Sequence, residues 1–272
     1  MRAILSPTRD PGRNLALEEI LFREGEDLLL LWRSDPCVVI GRNQNAFAEA
    51  NLRYCEAHGV LILRRFSGGG AVYHDPGNVN CSLSLAHEGE YLSYDPFLSR
   101  FLPALHALGV PAERRGASDV VLAGKKLCGT AQAAAKNRVL THATLLCRAD
   151  LAALSAALRP GRAILSGGGV ASNRSEVTNC GLDPAAAVRG LAAIADTPLT
   201  APTEAEMAAV EALAQEKYAD FAWNFGRSPR FTATAGALTL SVRGGRIETE
   251  GPLCGLPYLP SALPAELSEQ LF

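Results

Sequence analysis

Four absences narrow the field before any motif is read. No apolar run approaches the length of a membrane span, and MRAILSPTRDPGRN at the N-terminus is broken by proline and arginine before it builds the apolar stretch of a secretory signal. There is no surplus of positive charge: 26 Lys+Arg stand against 28 Asp+Glu, a net −2, so bulk attraction to phosphate backbones is missing and nucleic acid is not an expected partner. No C-x-x-C pair occurs, and the seven cysteines are odd in number and scattered, which points to reduced cytoplasmic thiols rather than a disulfide framework or a zinc site. Finally, neither G-x-x-x-x-G-K-[ST] nor a helix-opening G-x-G-x-x-G is found, so any nucleotide must be held by another device.

What is present is a chain built to fold throughout. Hydrophobic residues at 48% and charged residues at 20% lie far from the profile of disorder, and 272 residues suit one main domain with room for a small appendage. Asn14 reads as the cap of a helix through Phe22, followed by buried strands at 27–32 and 37–40 around a Ser-Asp-Pro turn. A helical stretch at 49–58 precedes strands at 60–63, 71–74 and 78–85, and 97–108 reads as helix. Strands are expected at 120–122, 126–130 and 142–147, a helix capped by Asp150 through Leu158, and a long Gly-rich loop at 167–179. Asp183-Pro184 and Thr203-x-x-Glu206 start two more helices, and Gly244-Gly245 turns a hairpin between 238–242 and 246–249. The alternation predicts a mixed α/β fold.

Two constellations carry chemistry. Gly68-Gly69-Gly70, between two strands, lets backbone N–H groups converge on an anion, with Arg64 or Arg65 and Ser67 as added donors; standing alone, such a triplet is equally a flexible turn. His74-Asp75, just beyond, is more often a satisfied turn than a dyad. Lys126, in GKKLCGTA, can meet charge developing on a phosphate, with His142 and Thr144 on the next strand; taken singly, Lys125 and Lys126 are solvated lysines in a turn.

Read together, these segments resemble the lipoate–protein ligase family. NLALEE (Asn14–Glu19), VVIGRNQN (Val38–Asn45), RRFSGGGAVYHDPGN (Arg64–Asn78), KLCGTA (Lys126–Ala131), HATLL (His142–Leu146), SNRSEVTN (Ser172–Asn179) and WNFGRSPRF (Trp223–Phe231) follow that family's order and approximate spacing. The resemblance implies an α/β (α+β) catalytic domain of the kind shared with biotin ligases, with a larger and a smaller mixed β-sheet flanked by helices over 1–231, and a shortened C-terminal appendage over 232–272. It also implies a carboxylate loop of Arg65, Ser67, Gly68, Gly69 and Gly70, with Lys126 contacting both acyl carbonyl and phosphate. His74, Asn78, Asp119, His142 and Thr144 would line the adenylate pocket, with His142 also on the acyl side. Ser172, Arg174 and Val177 belong to the loop that closes over the nucleotide, and Trp32, Val39 and Gly41 would begin the acyl tunnel.

The implied reaction uses ATP and Mg2+ to convert lipoate or octanoate into an acyl-adenylate, which a lysine of a lipoyl carrier domain then attacks. Cys128 stands where the family usually has serine, Ala143 where glycine is common, and Glu176 where a basic residue is frequent. The short 232–272 stretch suggests that an accessory function is reduced, absent or supplied by a separate subunit. The rivals within the fold are a transferase with a catalytic Cys128, Cys147 or Cys180, and one that accepts only preformed acyl-adenylate. A non-catalytic binding module is disfavoured because Lys126 is retained.

Overall fold

The computed structural model describes residues 1–87, 92–159 and 161–272. In chain order the elements are β1 (Arg2–Leu5), α1 (Pro11–Glu24), β2 (Leu28–Trp32), β3 (Cys37–Ile40), α2 (Ala46–Glu49), α3 (Leu52–Ala57), β4 (Leu61–Arg64), β5 (Val72–His74) and β6 (Asn78–Ala86). They continue with α4 (Asp95–Ala107), β7 (Glu113–Arg115), β8 (Asp119–Leu122), β9 (Lys125–Ala135), β10 (Arg138–Leu146), α5 (Leu151–Ala157) and β11 (Ile164–Gly167). The last are α6 (Pro184–Leu191), α7 (Glu204–Leu213), β12 (Phe231–Ala235), β13 (Leu238–Arg243), β14 (Arg246–Ile247) and α8 (Ala265–Leu271).

The expected larger and smaller mixed sheets are both there. The large one runs β1-β2-β6-β10-β9-β8-β7, antiparallel apart from the parallel β1–β2 pair, and the small one runs β4-β3-β5 with β3 and β4 parallel. A third sheet, β11-β12-β13-β14, was not foreseen; it pairs 164–167 with 231–235 and so straddles the expected division at residue 231. Phe231, Leu240, Tyr258 and Phe272 share one apolar core with Val38, Ile40 and Phe47 of the small-sheet region. A second core, with Phe97, Phe101 and Leu191, fills the space between the large sheet and α4 and α6.

Several boundaries differ from the sequence reading. Asn14 does not cap α1: Asp10 does, its carboxylate accepting the Arg13 N–H at 2.7 Å, with Pro11 in the first turn. Asn14 is instead fully buried and donates to the carbonyls of Thr8 (3.3 Å) and Arg33 (2.9 Å). The single helix expected over 49–58 is two short ones, because Asn45 caps α2 and Asn51 caps α3. The strand expected over 246–249 stops at Ile247.

The capping box of α7 is present and has a second use. Glu206 accepts the Thr203 N–H (2.6 Å) and also pairs with Arg2, whose Nη2 lies 2.8 Å away, joining α7 to the first strand. Hydrogen bonding from Arg2 outweighs burial and holds the Glu206 carboxyl down to about 2. An unfolded glutamate titrates near about 4.3. This folded-state value is depressed, so the contribution is fully present above the unfolded value and is lost as pH falls through the folded one. Denaturant unfolding of the parent and Glu206→Gln over a pH series should therefore show a stability gap that narrows below about 4.3 and closes near about 2. A gap independent of pH would contradict this assignment.

Candidate active site

Arg64 ends β4 and Arg65 directly follows it, and the two side chains point to opposite sides of the chain. Arg65 turns under the glycine loop. Its guanidinium donates to the carbonyls of Val39 (3.1 Å), Gly68 (3.1 Å) and Gly70 (2.8 Å) and to Ser67 Oγ (3.0 Å), bracing the loop from beneath. Burial lowers its pKa to about 10, partly opposed by nearby Glu18, so it stays cationic at neutral pH. Gly69 has no room for a side chain, whereas a Cβ on Gly68 would meet open space. Gly69 has φ +88°, and a Cβ there would lie 2.8 Å from Arg65 Nη2 and 2.9 Å from Ala131 Cβ; a Cβ on Gly41 would lie 2.1 Å from the Gly69 carbonyl oxygen.

Behind this loop runs a chain of polar side chains. Ser67 Oγ lies 2.8 Å from His142 Nε2, and His142 Nδ1 lies 3.1 Å from Glu18 Oε2, whose other oxygen accepts from Ser82. Facing a carboxylate, Nδ1 carries a proton. Burial alone would raise the Glu18 carboxyl, but His142, Ser82 and Arg65 outweigh it and hold it below the usual value. Glu19, one residue on, points elsewhere and binds Lys217 (2.7 Å) and the Tyr218 hydroxyl (2.6 Å).

Beside His142, the Thr144 hydroxyl donates to Asn80 Oδ1 (2.8 Å), so its lone pairs face His74 Nε2 at 3.1 Å and that nitrogen bears the proton. Burial and Arg65 depress His74 to about 3, which keeps it neutral. His74 Nδ1 and Asn80 Nδ2 are buried without a partner, one acceptor and one donor in the wall of a cavity.

That cavity, about 300 Å³, lies between α1, the glycine loop and the faces of β9 and β10. A second, about 400 Å³, adjoins it and is walled by Leu151, Leu154 and Leu158 from the α5 region and by Val177. Lys126, Gly129, Thr144, Ser172 and Asn173 line both. Lys126 Nζ sits 2.8 Å from Asp119 Oδ1. Burial would raise the Asp119 carboxyl, but Lys126 and Arg115 hold it below its ordinary range. The 176–178 segment is already seated on β9: Lys126 N–H donates to the Glu176 carbonyl (2.8 Å), Thr178 N–H to the Lys126 carbonyl (2.9 Å), and Lys125 pairs with the Glu176 carboxylate (2.5 Å).

The family profile for the lipoyl protein ligase A/B catalytic domain matches residues 10–181, which holds every residue described so far around the cavities. The chain belongs to this family. It is an enzyme of the lipoate–protein ligase kind, and the lipoate–protein ligase LplJ of Bacillus subtilis is 33% identical to it, over 88% of this chain and 80% of that protein. Two solved structures each superpose with a TM-score of 0.67 at 28% identity, over 83% of this chain and 98% of the other. One is a Thermoplasma acidophilum lipoate–protein ligase with bound lipoic acid, the other a lipoate–protein ligase A bound with ATP. The Thermoplasma system has also been solved as a bi-partite ligase and its E2 lipoyl domain, with a TM-score of 0.66, 28% identity, and coverage of 84% of this chain and 97% of the other. None of the helices is long and apolar enough to cross a membrane, among the described residues.

Within this ligase fold, Trp32, Val39, Arg65, Gly69, Gly70, His74, Asp119, Lys126, His142, Thr144 and Ser172 all line the first cavity, and Arg174 and Val177 line the second. Four expected residues line neither. Ser67 is enclosed between Arg65 and His142, and Gly68 gives its carbonyl to Arg65. Gly41 is the floor on which Gly69 rests, and Asn78 supports the turn before β6 through the Asp75 N–H (3.2 Å) and the Tyr73 carbonyl (3.2 Å). These four build the wall and do not face the space. Glu18, Asn80 and Ser82 went unread. A signal for two of them was in view: β6 carries Asn78, Asn80, Ser82 and Ser84 at every second position of an otherwise apolar, buried strand, a polar face aimed at something polar.

Proposed function

We propose that this chain joins lipoate, or its straight-chain analogue octanoate, to ATP as an acyl-adenylate and passes the acyl group to a lysine of a lipoyl carrier domain. The observation that carries the reading is the position of Lys126, which lines both of two adjoining cavities. The first suits the acid: Leu15, Trp32, Val39 and Val72 offer an apolar surface, while the glycine loop and Arg65 lie at its polar side. The second suits a nucleoside, with leucines to cover a base and Arg174 and Ser175 for polar contacts. Relatives bound to lipoic acid and to ATP support these assignments, and the Thermoplasma ligase with its E2 lipoyl domain supports the choice of acceptor.

In the first step a carboxylate oxygen attacks the α-phosphorus and pyrophosphate departs. In the second the lysine amine attacks the acyl carbonyl, AMP leaves and the amine loses a proton. Lys126 stabilises the charge that grows on phosphate oxygens in one step and on the carbonyl oxygen in the other. Asp119, which pairs with that ammonium at 2.8 Å, yields it to the phosphate. A magnesium ion would be held by triphosphate oxygens with Asp119 as the protein carboxylate, and would offset phosphate charge.

The thiol-dependent rival has little chemical footing. Among the described residues, Cys128 is the cysteine that lines one of the two cavities, the second, and burial pushes it up to about 12, so it is a thiol at neutral pH; Cys180, which hydrogen bonding with Cys147 lowers to about 7, lines neither. The test is incubation with ATP, magnesium, lipoate and a panel of apo lipoyl domains, read by intact-mass spectrometry. The expected result is one lipoyl group added to a single lysine, dependent on ATP; transfer without ATP, or none to any carrier, overturns the proposal.

A further inference from the structure

The stretch from Gly167 to Arg174 is tied at its ends, where Gly167 pairs with Phe231 and the Arg174 guanidinium donates to the Leu158 carbonyl. Between them, the Val170 N–H donates to the Asn43 carbonyl (3.1 Å) and the Val170 carbonyl accepts from Gln44 Nε2 (3.1 Å), and Ser172 makes the densest contact. Gly167–Ala171, Asn173 and Arg174 are exposed, whereas Ser172 is half-buried. The Ser172 hydroxyl accepts from the Ala71 N–H (2.8 Å) and Gln44 Nε2 (3.0 Å) and donates to Glu49 Oε2, and its own N–H donates to Glu49 Oε1 (3.2 Å). A Cβ on Gly70 would lie 3.1 Å from Ser172 Oγ, so the stretch is seated directly on the glycine loop.

Glu49 is the unusual member of this contact. It is 5% exposed, makes no ion pair among the described residues, and turns both oxygens onto a single residue of another segment. A carboxylate buried without a cation is costly, and packing alone would be served by an apolar side chain. The frame behind it is firm: Asn45 caps α2, and the Ala46 N–H donates to Ser228 Oγ, which also accepts from Arg64. Glu49 therefore stands on a firm frame, and Ser172 is the half-buried contact of an otherwise exposed segment.

We infer that Glu49 is a positioning residue that latches the 170–174 segment across the junction of the two cavities, so that the activated acyl group stays enclosed between its formation and its transfer. Ser172 and Asn173, which line both cavities, are the part of the segment that closes the junction. The inference rests on the adenylate reading above. An acyl-adenylate is a mixed anhydride open to water and to any amine, so a loosened latch spends ATP without modifying the carrier.

Two measurements test it. Trypsin cleavage after exposed Arg174 in the ligand-free protein reads the latch without any catalysis, and trapping of escaped intermediate as the hydroxamate, with ATP, lipoate and hydroxylamine but no carrier, reads retention. Loss of charge-assisted hydrogen bonds should speed cleavage about tenfold or more in Glu49→Ala and raise trapping by a similar factor, with Glu49→Gln in between. Ser172→Ala should reproduce both effects, and it is the variant to read if Glu49→Ala melts at room temperature. Wild-type cleavage in a folded Ser172→Ala or Glu49→Ala overturns the latch, and faster cleavage with unchanged trapping overturns its role in retention. If the parent enzyme forms no hydroxamate, the adenylate reading fails, while the tryptic result still decides whether Glu49 holds the segment.

Discussion

Lys126→Ala should lose about 10²–10³-fold in the rate of carrier acylation while its thermal unfolding stays within a few degrees of the parent. The two halves of that expectation have separate causes. Lys126 lines both cavities, and its contact with Asp119 is made where its side chain is 22% exposed, so removing it leaves no buried orphan. Asp119 keeps Arg115 at 3.2 Å as a partner. Because one cation serves two transition states, the variant should be slow both in ATP-dependent pyrophosphate release and in transfer from acyl-adenylate supplied ready-made. A Lys126→Ala protein that is slow in only one of them would show that the lysine serves one step, and near-normal acylation would remove it from the mechanism. Lys126→Arg keeps the charge but replaces a compact ammonium with a planar fork, and should recover only part of the loss.

Most of the wall of the site was legible because its residue types are unusual where they stand: a glycine triplet between strands, a lysine beside small residues, histidines on buried strands. What could not be read was which of two neighbours faces inward. Glu18 and Glu19 are adjacent on a helix, so about 100° separates them; one joins His142 in the cavity wall, and the other locks Tyr218 and Lys217 to α1. Nothing in NLALEE distinguishes them, since each is buried and each is hydrogen-bonded. Ser67 illustrates a second limit. Its residue type and place in the loop suggested a donor to substrate, yet its hydroxyl is engaged by Arg65 and His142, a fact set by β10 more than 70 residues away in sequence. Helix starts differ from the sequence reading where caps compete. Asn14, Asn45 and Asn51 are all plausible cap residues, and only the last two act as caps, because the Asp10-Pro11 step before Asn14 had already begun the helix.

The same limit applies to Arg64, and its resolution predicts a loss of fold where Lys126 predicts a loss of rate. Arg64 is fully buried, and its guanidinium donates to the carbonyls of Gly41 (3.1 Å), Arg42 (3.0 Å), Gln44 (2.7 Å), Trp223 (3.1 Å) and Asn224 (3.0 Å) and to Ser228 Oγ (3.1 Å). Its backbone is held from the same side, by Asn224 Oδ1 at the N–H (2.9 Å) and Trp223 Nε1 at the carbonyl (2.7 Å). The GRNQ and WNFGRS segments, far apart in the chain, are thus two halves of one cage around a cation. Burial, with Arg227 adding repulsion, lowers its pKa to about 10, so the charge persists at neutral pH and the carbonyls take the place of water. Arg64→Met keeps much of the volume and strands those acceptors without a donor. The cost should be about 3–5 kcal/mol, a fall in melting temperature on the order of 10 °C for a chain of this size. An ammonium has three donors, so Arg64→Lys should fall between parent and Arg64→Met. Gln44 and Ala46, which hold or support the Ser172 contact, both hang from this cage, so destabilisation should come with faster cleavage after Arg174. If Arg64→Met melts with the parent, the cage is not what joins these segments; if it melts early while cleavage after Arg174 is unchanged at temperatures where the variant is folded, the cage and the latch are independent.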